Sequence, residues 1–150
     1  MKVKLHHPAI VVPDLNKAVE FYSDLLSLVK IKESSMDETS DIFDIITGLS
    51  GAIAKFCLLK GDGFYLELFE FDQPEKNLMN VTFTASSLGI RHLAFQVDNI
   101  RQAVKRLTRL GGSLLGKERK VPGGGYAVYC RDPFGNIIEF TKPEENFPKI

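Results

Sequence analysis

The chain has 150 residues, 44% of them hydrophobic and 25% charged, which suits one domain with an ordinary buried core. Nineteen basic residues balance nineteen acidic ones, and there is neither a Lys/Arg run nor an apolar stretch of about 20 residues, so nucleic-acid binding and a helical membrane span are excluded as readings. The start, MKVKLHH, lacks the apolar core of a signal peptide, and a cytoplasmic protein is expected.

In chain order, residues 5–12 alternate and read as a strand. Asp14 is a good N-cap for a helix whose apolar positions Leu15, Ala18, Val19, Tyr22, Leu25 and Leu26 recur at helical spacing. Short strands follow near Val29 to Lys32, in AIAKFCLL (52–59) and in FYLELFEF (64–71), the last two joined by a KGDG turn. Between them, ESSMDETSDIFDIITGLSG (33–51) reads as a loop or short helix with solvated acids. Residues 74–89 read as a linker. A second strand spans Arg91 to Val97, and Asn99 caps a helix with Ile100, Ala103, Val104 and Leu107 on one face and Gly111-Gly112 as its stop. SLLGKE, YAVYCR and NIIEFTK then read as strands, the last two joined by DPFGN, where proline presets one torsion and glycine supplies a positive one. PGGGY lacks the Gly-x-Gly-x-x-Gly spacing of a dinucleotide site and reads as a mobile hairpin connection, with a lid over a substrate as one role. Residues 144–150 form a tail. Cys57 and Cys130 lie far apart without Cys-x-x-Cys spacing and read as buried, reduced thiols.

The two halves repeat. At an offset of 85, His7 falls on His92, Ala9 on Ala94, Val12 on Val97, Asp14 on Asn99, Ala18 on Ala103 and Val19 on Val104. At an offset of 72, YLELF places Glu67 on Glu139 of IIEFT. An internal repeat is one supersecondary unit used twice. The expected fold is therefore α+β in a single domain, 1–150, built from two βαβββ modules, 1–73 and 90–143. His and Glu are 60 residues apart in the first half and 47 in the second, and the insertion accounts for the difference of 13.

Side chains alternate along a strand, so His7, Ala9 and Val11 share a face, as do His92, Ala94 and Gln96. Leu66, Leu68, Ile138 and Phe140 belong to the opposite, helix-covered side, which leaves Glu67 and Glu139 on the face of the histidines. An ionised carboxylate among Leu and Ile costs several kcal/mol to desolvate unless it is paired or metal-bound. Two imidazoles and two carboxylates make an N2O2 set suited to one divalent ion, Zn, Ni, Co, Mn or Fe. The expected metal ligands are His7, Glu67, His92 and Glu139. Tyr65 and Phe69, beside Glu67, and Gln96, beside His92, are expected to contact substrate. His6 alternates to the other side, pairs with Arg91 in the repeat, and is expected to take no part.

HHPAIVVPDLNKAVEFYSDLL, YLELFE, RHLAFQVDNI and RDPFGNIIEF together resemble the vicinal oxygen chelate superfamily, which includes glyoxalase I, methylmalonyl-CoA epimerase, extradiol dioxygenases and the fosfomycin and bleomycin resistance proteins. The resemblance implies that the two modules pair into a curled, cup-shaped mixed sheet around one metal, with helices outside, and that the protein is a homodimer. It implies Lewis-acid chemistry on a small oxygenated molecule. A 2-His-2-Glu set resembles the glyoxalase and epimerase members, where proton transfer beside a metal-bound carbonyl gives a lyase or isomerase, with Glu139 or Glu67 as the base. An extradiol-type dioxygenase, using His7, His92 and Glu139, is the first alternative. A small-molecule binding or antibiotic resistance protein is the second. Bacterial glyoxalase I carries an arginine where this chain has Val11 and an asparagine where it has Phe71, so glutathione is not the expected substrate.

Overall fold

The computed structural model describes residues 1–37, 41–74, 83–122 and 124–144, in two compact units, Met1–Leu78 and Met79–Ile150. Half of the expected linker, nearly all of the tail and Gly123 of PGGGY lie outside the described residues.

The first unit runs β1 (Ala9–Val11), α1 (Leu15–Leu26), β2 (Val29–Met36), α2 (Ile42–Thr47), β3 (Ile53–Lys60) and β4 (Tyr65–Gln73). Its sheet has the order β1-β4-β3-β2, with β1 parallel to β4 and the other pairs antiparallel. The Asp14 side chain accepts from Lys17 N–H at 3.0 Å, and a Glu70 carboxylate oxygen accepts from Leu15 N–H at 2.8 Å. Both anions sit at the positive end of the α1 dipole. Leu15, Ala18, Phe21, Tyr22 and Leu25 form the buried stripe of α1, which packs on β3 and β4, where Cys57, Leu59, Leu66 and Leu68 have no exposed surface. Burying each such leucine contributes about 1.5–3 kcal/mol, which fixes the helix-covered side of the sheet. The opposite side carries Glu67.

The second unit repeats the plan: β5 (His92–Gln96), α3 (Ile100–Arg109), β6 (Ser113–Leu114), β7 (Arg119–Lys120), β8 (Tyr126–Arg131) and β9 (Ile137–Lys142), in the order β5-β9-β8-β6 with β7 paired to β8. Asn99 caps α3 as Asp14 caps α1, accepting from Gln102 N–H at 3.1 Å. Gly111 has φ +92°, and a Cβ on Gly112 would fall 2.6 Å from Leu107 and 2.9 Å from the Arg131 carbonyl, so both stop residues have to be glycine. Val128, Cys130, Ile138 and Phe140 are buried on one side of the sheet. At DPFGN, the buried Asp132 carboxylate accepts from Phe134 N–H at 2.9 Å and Asn136 N–H at 2.7 Å, locking the β8–β9 register.

Three sequence expectations are corrected. The first strand begins at Ala9, not residue 5, so alternation does not extend back to His6, whose ring stacks on Tyr65 on the Glu67 face. Asp44 of the insertion is not merely a solvated acid; its carboxylate accepts from Gly51 and Ala52 N–H at 2.6 and 2.8 Å and ties α2 down. SLLGKE is strand only at Ser113–Leu114, and Arg119–Lys120 add a strand that the sequence pattern did not mark.

Both thiols are free and buried. Burial raises the Cys57 thiol above its ordinary 9.0 and pushes Cys130 up to about 11. Neither is expected to react with Ellman's reagent at pH 8 in the native protein, and both are expected to react in denaturant. Because the folded state holds the Cys130 proton more tightly, its contribution to stability is complete below about pH 9 and is lost as pH rises through about 11. A denaturation midpoint falling over that window, and falling less in Cys130→Ala, checks the sign.

Candidate functional site

Each unit builds the same arrangement from the same register. In the first, Ala9 pairs with Glu67, and in the second, Ala94 pairs with Glu139. The histidine two residues before each alanine, within β5 for His92 and just ahead of β1 for His7, lies beside the glutamate of its unit. His7 Nε2 lies 3.0 Å from Glu67 Oε2, and His92 Nε2 lies 3.2 Å from Glu139 Oε2. The exposures match as well: 31% and 35% for the histidine side chains, 16% and 17% for the glutamates. Among the described residues no group of three or more His, Cys, Asp and Glu side chains forms a metal cluster. What the fold provides in each unit is a His–Glu pair.

The spacing of each pair suits coordination. Two ligands at right angles on one ion, each about 2.1 Å from it, stand about 3.0 Å apart. One nitrogen and one carboxylate oxygen per pair is also the donor chemistry of a divalent transition metal. Glu70, three residues beyond Glu67, faces α1 and is accounted for as a helix cap.

The surroundings differ between the units. The KGDG turn, closed by Gly61 N–H to the Phe64 carbonyl at 2.9 Å, sets Leu58 opposite Glu67. The DPFGN turn sets Tyr129 opposite Glu139. The Tyr129 ring meets His92 edge-on, with centroids 4.9 Å apart. Burial, then the charge of Glu139 and a hydrogen bond to it, hold the Tyr129 phenol above its ordinary value of 10.0, so it remains a proton donor to that carboxylate. Tyr65 and Phe69 lie in line with Glu67 at two-residue spacing on β4, as expected, and Phe69 joins a cluster with Phe43, Phe56 and Phe71 at centroid separations of 5.6–6.0 Å. Gln96 pairs with Thr141 one step beyond Glu139 on the same face and is exposed.

The family model of the Glyoxalase/Bleomycin resistance protein/Dioxygenase superfamily matches residues 4–140. The chain belongs to this superfamily. A 2-epi-5-epi-valiolone epimerase of Actinomyces sp. is 30% identical over 146 residues, covering 91% of this chain and 78% of the relative. A glyoxalase family protein of Bacillus cereus has the same fold, with a TM-score of 0.85 at 23% identity over 95% of each chain. The fosfomycin resistance protein FosX of Listeria monocytogenes, solved as a mutant with Mn(II) and 1S,2S-dihydroxypropylphosphonic acid, aligns with a TM-score of 0.62 at 18% identity, over 97% of this chain and 96% of that one.

Two aromatic residues near these pairs, one in each unit, are not singled out by the sequence pattern. Tyr129 was recoverable, because a hairpin closed at Arg131–Ile137 puts residue 129 opposite 139. Phe43 was not, since the insertion that carries it has no counterpart in the second half.

Proposed function

We propose that this chain is a divalent-metal-dependent enzyme of the glyoxalase and epimerase type, an isomerase or lyase that transfers a proton next to a carbonyl of a small oxygenated substrate. The observation that carries the reading is the duplicated His–Glu pair, held at one register in both units with nearly equal distances and burial. His7, Glu67, His92 and Glu139 would together hold one ion of Zn, Ni, Co, Mn or Fe. When bound, such an ion supplies Lewis-acid polarisation of a substrate oxygen.

The chain's own residues supply the rest. Glu67 or Glu139 takes the proton beside the carbonyl. The Tyr129 hydroxyl, donating to Glu139, orients that carboxylate. Tyr65 and Phe69 offer an apolar wall and Gln96 a polar contact to the substrate. The epimerase relative supports this chemistry: its name denotes inversion at a stereocentre of a ketone, and inversion beside a ketone proceeds by removing and returning the α-proton. The protein would act as a cytoplasmic homodimer; among the described residues no helix is long and apolar enough to cross a membrane.

The test is exchange of an α-proton into heavy water, followed by NMR over a panel of cyclic ketones, 2-oxo acids, thioesters and hemithioacetals. Metal-dependent exchange with at least one class is the expected result. A shift of the ultraviolet spectrum on adding catechol to the Fe(II)-loaded protein, with oxygen uptake and no exchange, would replace the proposal by the dioxygenase reading. Tight binding without turnover would favour a sequestering protein.

A further inference from the structure

Histidines 6 and 7 are adjacent, yet only His7 has a histidine as its counterpart in the second unit; position 6 corresponds to Arg91. His7 precedes β1, so no ladder bond of its own anchors it. The nearest backbone tie is Glu67 N–H to the Pro8 carbonyl at 3.1 Å. An imidazole that is about one-third exposed on such a segment needs a side-chain partner to stay aimed at Glu67.

His6 provides one. The Nδ1 atoms of His6 and His7 are within hydrogen-bonding distance, with the two rings edge to face, centroids 4.8 Å apart at 78°. His6 is itself held from the other side, stacked on Tyr65 at 5.6 Å and 17°. Tyr65 lies two residues before Glu67 on β4, so Glu67, His7, His6 and Tyr65 form a closed circuit that begins and ends on one strand.

A neutral imidazole has one N–H and one lone pair. In the metal-free protein the His7 Nε2–H faces the Glu67 carboxylate at 3.0 Å and its Nδ1 accepts from the His6 Nδ1–H; when a cation takes Nε2, the contact reverses and the His7 Nδ1–H donates to His6 Nδ1. We propose that His6 is a positioning residue that fixes the ring angle of His7 in both forms. Arg91 cannot play this part in the second unit, because a guanidinium has no acceptor. There the Tyr129 ring packs against His92 instead.

The inference rests on the metal-ligand reading of His7, and the experiment separates the two. Zn(II) affinity is measured by chelator competition for the native protein, His6→Phe, which keeps an aromatic ring on Tyr65 but has no acceptor, and His7→Ala. In parallel, nitrogen-15 NMR of the metal-free native protein looks for scalar coupling between the His6 and His7 Nδ1 atoms across their shared hydrogen. The expected result is a 10- to 100-fold weaker Kd in His6→Phe, the magnitude common for partners of ligating histidines, together with that coupling in the native protein and unchanged melting of metal-free His6→Phe. Affinity within twofold of native in His6→Phe, while His7→Ala loses the ion, overturns the positioning role and leaves the ligand set standing. If the native protein binds no Zn(II), the ligand reading falls, and the coupling alone decides: its presence upholds the positioning role, and its absence overturns it.

Discussion

The double variant His92→Ala, Glu139→Ala is expected to purify with little metal and to bind added Zn(II) or Mn(II) at least about a hundredfold more weakly than the native protein, about tenfold for each donor removed. Removing both members of the pair avoids leaving one buried polar group without its partner, the usual reason why a single deletion confuses stability with binding. The folded core is untouched, because Ile138 and Phe140, the neighbours of Glu139 in β9, turn to the other side of the sheet and are fully buried there. Melting of the metal-free variant should therefore stay close to native while elemental analysis falls. Stoichiometric metal in this variant would remove the second unit's pair from the site.

The sequence was most informative where the chain repeats itself. The caps at Asp14 and Asn99 and the helices they start are legible from residue type and helical spacing, and the matched His and Glu positions from the repeat. Alternation holds only as far as the hydrogen-bonded ladder runs, which begins at Ala9. Pro8 lacks an N–H and precedes the first paired residue, so His6 answers to no strand register and lies against Tyr65. Where the halves differ, the repeat had nothing to say: α2 and Phe43 belong to the first half alone, and the contrast between Leu58 and Tyr129 follows from two hairpin registers, not from any periodicity.

That contrast gives the two carboxylates unequal settings. Glu139 faces a phenol that donates to it, and Glu67 faces the Leu58 side chain. The aromatic side chains Phe43, Phe56, Phe69 and Phe71 gather beyond Glu67 on its own face, while the position that corresponds to Phe69 in the second unit is Thr141. One repeat has thus kept its His–Glu pair and diverged around it.

Glu67→Ala is expected to lower metal affinity at least about tenfold and to abolish α-proton exchange with whichever carbonyl class the native protein accepts. The number of open coordination positions separates the two chemistries. Four protein ligands on an octahedral ion leave two sites, enough for a bidentate oxygenated substrate and too few for such a substrate together with dioxygen. Three ligands, His7, His92 and Glu139, leave three sites and match the two-histidine, one-carboxylate set of iron oxygenases. If the variant keeps one metal per chain at native affinity, Glu67 is not a ligand, and catechol binding with oxygen uptake becomes the reaction to pursue. If metal and exchange are lost together, the fourth ligand is real and proton transfer is the chemistry it serves.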